Sequence, residues 1–178
     1  MVATASNADP GDRILMLPAI YEEGIVIDKP LEIIGIGRLD KIIVRATGQN
    51  TISFKTTFGR VLNLTLRQMG DGDWFGVDIS QGRLELDGCD VSSQGSSCVA
   101  VHGGADPRIR GNHIHGGKET GVIIYDNALG TLEDNDIFGN VLAGVAITNG
   151  GNPTLRRNRI NDGQREGIII YDKAQGTI

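Results

Sequence analysis

From Pro107 to the last residue the chain repeats itself every 23 residues. A period of that size confines a chain to a stacked repeat architecture. In register the copies read PRIRGNHIHGGKETGVIIYDNAL (107–129), GTLEDNDIFGNVLAGVAITNGGN (130–152) and PTLRRNRINDGQREGIIIYDKAQ (153–175), with a further copy beginning at Gly176 and a looser one over 84–106. Ile109, Leu132, Leu155 and Ile178 form one column. Asn112, Asn135 and Asn158 form another, followed by Ile114, Ile137 and Ile160, then by Gly121, Gly144 and Gly167.

The apolar runs in each copy are short and β-branched, as in Val122-Ile123-Ile124 and Ile168-Ile169-Ile170, and Gly and Asn punctuate them. That is a strand-and-turn pattern, and no window carries sustained helical spacing. A unit of 23 residues is too short for a helical hairpin and lacks the leucine-rich signature. It fits one coil of a parallel β-helix, in which each strand pairs with its equivalent about 4.8 Å away. The expected fold is therefore all-β, a parallel β-helix. The 178 residues make roughly seven coils in a single domain, with irregular coils over 9–83 and regular ones over 84–178. Leu155 and Ile160 both look inward yet stand five apart, an odd spacing that strict alternation forbids. A bend is predicted near Arg157-Asn158, with the Asn column as its structural ladder.

Upstream, strands are predicted over Arg13 to Leu17, Gly24 to Ile27, Leu31 to Ile34, Ile42 to Ala46, Thr51 to Phe54 and Val61 to Leu66. Gln68 to Trp74 is the one expected protruding loop. The run DPGDRILMLPAIYEEGIVIDKPLEIIGIG (9–37) resembles the opening of many bacterial right-handed β-helix proteins, where a short helix often caps the first coil. With MVATASNA alone before Asp9, the expected cap is short or missing. The copies 130–147 and 152–172 resemble repeats of the carbohydrate-binding and sugar-hydrolase group, and equally those of the β-helix domain of a human F-box ubiquitin-ligase subunit. The resemblance implies a right-handed single-stranded parallel β-helix of the pectate-lyase type. Its members include epimerases, lyases, binders and ligase subunits. No F-box-like helical segment is present, so the ligase role does not carry over.

The formal net charge is -5, with 9 Lys and Arg against 14 Asp and Glu in residues 1–106, and 8 against 8 after that. Nothing basic points to nucleic acid. No apolar stretch or leader-like N-terminus points to a membrane or to export, so the cytoplasm is the expected compartment, or the exterior if a leader has been lost. Cys89 falls in the Asn column and Cys98 in the Gly column, which marks them as small buried residues in a reducing compartment.

Stacking turns the repeat into surface columns. Asp87, Arg110, Glu133 and Arg156 form one, and Asp90, His113, Asp136 and Arg159 another; charge alternates along both. Opposite charges one coil apart attract by roughly 0.2–1 kcal/mol, so these read as register ladders. If Val122 and Ile124 point inward, Ile123 and Tyr125 point outward. Their equivalents are Ala100 and His102, Ala146 and Thr148, and Ile169 and Tyr171. This predicts a binding face of His102, Ile123, Tyr125, Thr148, Ile169 and Tyr171, rimmed by Asp126, Asn149 and Asp172. An apolar-aromatic strip of this kind marks an interaction surface.

The motifs typical of polygalacturonases and mannuronan epimerases are missing, and His113 and His115 lack a third metal ligand. No catalytic residue, metal or cofactor is expected. Asp126 and Asp172 lie two coils apart, about 9.6 Å by strand spacing, a separation compatible with inverting glycoside hydrolysis. The function expected is a non-catalytic scaffold for a protein partner or for a second copy of itself, met through the sheet face or through an open coil end at Ile178. The alternative is a polysaccharide-binding or polysaccharide-active module that uses Tyr125, Asp126, Tyr171 and Asp172.

Overall fold

A computed structural model describes residues 2–178. Each of seven coils gives one strand to each of three seven-stranded sheets, and every pairing is between strands one coil apart. Sheet 1 stacks Arg13–Met16, Glu32–Gly35, Phe58–Leu62, Arg83–Asp87, Arg108–Arg110, Thr131–Glu133 and Thr154–Arg156. Sheet 2 stacks Ala19–Tyr21, Ile42–Ala46, Thr65–Gln68, Asp90–Ser93, His113–His115, Asp136–Phe138 and Arg159–Asn161. Sheet 3 stacks Ile25–Ile27, Ile52–Phe54, Val77–Ile79, Val99–Val101, Val122–Ile124, Val145–Ile147 and Ile168–Ile170. All pairs are parallel, for example Ile109↔Leu132, Ile114↔Ile137 and Ile124↔Ile147.

Strands of three to five residues follow from the sequence: one to three inward side chains, mostly aliphatic, then a turn residue. The inward positions build one continuous core. Ile109, Ile114, Val122, Ile124, Leu132, Ile137, Val145 and Ile147 are all fully buried. In coils four to seven the register step is 23, as Leu86 pairs with Ile109 and Leu132 with Leu155. Earlier steps vary: Arg13 pairs with Glu32, 19 on, and Glu32 with Arg60, 28 on. Corner insertions absorb the difference, including a 3-10 turn at Leu39–Lys41 and the foreseen loop after Gln68. That is why the N-terminal coils do not align by eye. Two expectations change here. Val61 to Leu66 is not one strand, because Asn63 (φ 54°) turns the chain from sheet 1 to sheet 2. Ala19–Tyr21, unforeseen, is the first strand of sheet 2.

The predicted bend is present. Gly111, Asp134 and Arg157 hold positive φ (63°, 56° and 53°) immediately before the three Asn residues. Each Asn side chain then bonds to the preceding coil. The Asn112, Asn135 and Asn158 carbonyls accept from the backbone N–H of Cys89, Asn112 and Asn135 at 2.8, 3.0 and 3.1 Å. Their amide nitrogens donate to the carbonyls of Leu86, Ile109 and Leu132 at 2.9–3.0 Å. These bonds satisfy backbone groups of the preceding coil where the sheets part. The Gly column has a different cause. A Cβ on Gly121 would stand 2.6 Å from the Gly144 carbonyl, and one on Gly144 2.8 Å from the Gly167 carbonyl. At that corner the coils touch through backbone.

At the N-terminal end a short helix, Val2–Asn7, inserts Ala5 (4% exposed) into the core. Lys29 holds it by donating to the carbonyls of Ser6 and Ala8, both at 2.9 Å. The cap is short but present.

Two substitutions test this packing. Ile137→Asp is expected to abolish the folding transition, because an unpaired carboxylate would be buried in the core; a near-wild-type thermal melt would place Ile137 outside. Asn135→Ala is expected to lower stability by about 1–3 kcal/mol, since two backbone groups lose their partner. A neutral denaturant titration would remove the ladder's structural role.

Candidate functional site

The three outer faces differ in chemistry. Sheet 1 is an ion-pair ladder. Arg13, Glu32, Arg60 and Glu85 link in series at 2.7, 3.3 and 2.9 Å. Lower down, Asp87 pairs with Arg110, while Glu133 gathers Arg108, Arg156 and Arg157. The alternating columns foreseen from the repeat are in register, Asp87↔Arg110↔Glu133↔Arg156 on sheet 1 and Asp90↔His113↔Asp136↔Arg159 on sheet 2. The Arg13-to-Glu85 series was missed, because its members stand 19, 28 and 25 residues apart. This face answers its own charges.

Sheet 3 carries the predicted strip. Ile123, Tyr125 and Ile169 are half-buried and Tyr171 is 50% exposed, all pointing outward. Ala100 and Ala146 alternate with the two Ile residues in register, and their accessible surface falls to 0% and 3%. The strip is thus a row of ridges and troughs, narrower than four exposed apolar residues would make. Beside it His102 stacks on Tyr125, ring centroids 5.0 Å apart and planes 11° apart. Thr148 is half-buried, and Asp126, Asn149 and Asp172 line the rim at positive φ. A polar groove of about 450 Å³ runs along that rim, where Asn127, Asn149, Asn152 and Asp172 meet. All nine predicted face residues therefore lie on one surface.

Asp78 was not foreseen there. Its Oδ1 meets His102 Nε2 at 2.9 Å, and Asn50 donates to its other oxygen at 3.2 Å. Asp78 belongs to the column of Ala100 and Ile123. A 22-residue step hid it, although a column traced strand by strand would have found it. The hydrogen bond that His102 donates to the Asp78 carboxylate raises the His102 pKa against the lowering effect of burial. Burial, with the charges of Asp78 and Asp126, pushes the Tyr125 hydroxyl up.

Sheet 2 repeats the His motif. Asp90 meets His115 Nε2 at 2.9 Å and Arg67 at 2.6 Å, and His115 stacks on Phe138 with centroids 4.9 Å apart. His113 is exposed in the neighbouring column. Among the described residues no three His, Cys, Asp or Glu side chains group around a metal position. A shallow cleft of about 490 Å³ crosses the upper part of this sheet over Ile43, Arg45, Thr65 and Arg67. There Arg45 and Arg67 stand in register, like charge on like, each relieved by a carboxylate: Glu22 at 3.6 Å and Asp90 at 2.6 Å. A second apolar surface, also unforeseen, lies at the first coils, where Leu15 and Leu17 are 57% and 62% exposed.

Cys89 and Cys98 are buried, and burial pushes both thiols up to about 12; such thiols are inert. Every carboxyl whose titration is displaced is held low: Glu32, Asp40, Asp90, Glu133, Asp134 and Asp136. For Glu133, burial pushes upward, and the hydrogen bonds from Arg156 and Arg157 outweigh it. For Asp136 the Arg159 hydrogen bond leads.

These directions set a pH dependence. A carboxyl held low in the fold stabilises fully above its unfolded pKa and loses that contribution as pH falls through the folded one. With ordinary values of 4.5 for Glu133 and 3.8 for Asp136, acid loss begins below about pH 4.5. His102, held high, has the opposite sign: its contribution is present below its ordinary 6.5 and fades as pH rises through its folded value. Thermal melts between about pH 3 and pH 8 are expected to show the acid fall, and Glu133→Gln to flatten it. A midpoint indifferent to acid would mean that the ladder does not form in solution.

No described helix is long and apolar enough to cross a bilayer. No solved structure matches the chain. The family model described as "Right handed beta helix region" matches residues 49–178. Seven coils of three parallel strands, the bends between their sheets and that match over most of the chain agree, and the protein belongs to the right-handed β-helix family.

Proposed function

We propose that the chain is a non-catalytic scaffold whose third sheet docks a protein surface along coils four to seven. The observation that carries this reading is the contrast among the faces. Sheet 1 neutralises its charges internally, whereas the sheet 3 strip offers Ile123 and Ile169, two alanine troughs and two tyrosines. Among the described residues neither tyrosine hydroxyl has a hydrogen-bond partner. Apolar area with a polar tip at low conformational cost is what protein interfaces use. Glu133 and Asp136 on the neighbouring faces are held low by their arginines, the opposite of the raised carboxyl that a glycosidase acid needs.

A glycan platform is the second reading, and the amide-lined groove beside Tyr171 favours it. Affinity electrophoresis through gels containing neutral and acidic polysaccharides separates the two. The expected outcome is unretarded migration for the wild type. Retardation that disappears in Tyr125→Lys/Tyr171→Lys would replace protein docking with glycan binding on the same face.

A further inference from the structure

The size pattern of the sheet 3 strip is self-complementary under one particular two-fold rotation. Read from coil four to coil seven, the first outward column is Ala100, Ile123, Ala146, Ile169. The second, two residues further along each strand, is His102, Tyr125, Thr148, Tyr171. Both have four members, and the first alternates small and large. Reversing an alternating column of even length exchanges small for large at every position.

We infer that the partner of this face is a second copy of the chain, packed antiparallel about a two-fold axis that runs along the strands between coils five and six. The inference rests on the docking reading above and names its occupant. Under this rotation Ile123 meets Ala146 of the second copy, and Ala100 meets Ile169. Tyr125 lies over Thr148, and His102 over Tyr171. In the first column each ridge enters a trough, in the second Tyr125 covers the smaller Thr148, and at the two ends of the contact the rings of His102 and Tyr171 meet.

Charge selects the same rotation. The rim column is Gly103, Asp126, Asn149, Asp172. Reversed, Asp126 meets Asn149 and Asp172 meets Gly103, so no two carboxylates face each other. His102, which Asp78 makes easier to protonate, comes to lie beside Asp172 of the second copy. An axis along the stack instead sets each coil against itself. Ile123 then faces Tyr125 while Ala146 faces Thr148, large on large and small on small.

The area sets the strength. Four coils by about five residues of strand span roughly 20 Å by 15 Å, on the order of 300 Å² of projected face per copy. A stable interface buries about 800 Å² per partner. Association is therefore weak and concentration-dependent.

The test combines mass and geometry. Light scattering up to millimolar chain is expected to rise toward twice the chain mass, and Tyr125→Lys/Tyr171→Lys to return it to monomer with its thermal melt retained. Chains carrying Tyr125→Cys mixed with chains carrying Thr148→Cys are expected to form a mixed disulfide dimer under mild oxidation. Tyr125→Cys mixed with Ile123→Cys is expected to form none. Cys89 and Cys98, buried with thiols near 12, do not compete. The opposite cross-linking result would overturn the antiparallel axis and leave docking on sheet 3 standing. A monomer at every concentration would overturn the second copy as occupant, and the electrophoresis above would still judge the face. A dimer that survives the double lysine variant would overturn both, and would direct attention to the exposed Leu15 and Leu17.

Discussion

Parallel hydrogen bonding between successive coils holds every other feature in place. It sets a spacing of about 4.8 Å, so a side chain is always packed against its own equivalent one coil away. Ile109 must suit Leu132, and Ile114 must suit Ile137. Because each coil buries its inward side chains only by having neighbours above and below, stability accumulates along the stack. The same spacing dictates the surface: each outward position at one coil stands directly beside its equivalent at the next.

Corners are where this arrangement is most demanding, because sheet pairing stops and backbone groups lose their regular partners. Two devices answer that demand. At the turn from sheet 1 to sheet 2 a left-handed residue is followed by an Asn whose amide spans to the coil before it. At the turn into sheet 3 a glycine lets backbone touch backbone. Cys89 occupies the Asn position in coil four, where its N–H still receives a partner from Asn112. The ladder therefore starts one coil earlier than its asparagines do.

Repetition also determines what each face can do. Stacked identical charges repel, so a column either alternates in sign or carries its repulsion with help nearby. Sheet 1 alternates, whereas Arg45 over Arg67 on sheet 2 depends on Glu22 and Asp90. Sheet 3 avoids charge in its lower half and alternates in size instead. The paired motifs Asp78–His102–Tyr125 and Asp90–His115–Phe138 show how a carboxylate from an earlier coil fixes a histidine ring against an aromatic one coil on. On sheet 3 this sets the orientation of two of the strip's side chains.

The period by itself determined the fold, the inward columns, the bend before Asn158 and the outward identity of Ile123, Tyr125, Ile169 and Tyr171. Each of these follows from strand alternation applied to equal steps. Where the steps are unequal, the sequence could not be aligned to itself, and only the tertiary structure decided the pairing. That is why Asp78 beside His102, the Arg13-to-Glu85 series and the Arg45–Arg67 stack came from the coordinates alone. The shading of Ala100 and Ala146 is of the same kind. A sequence states which way a small side chain points, but how far its larger neighbours overhang it depends on packing in three dimensions.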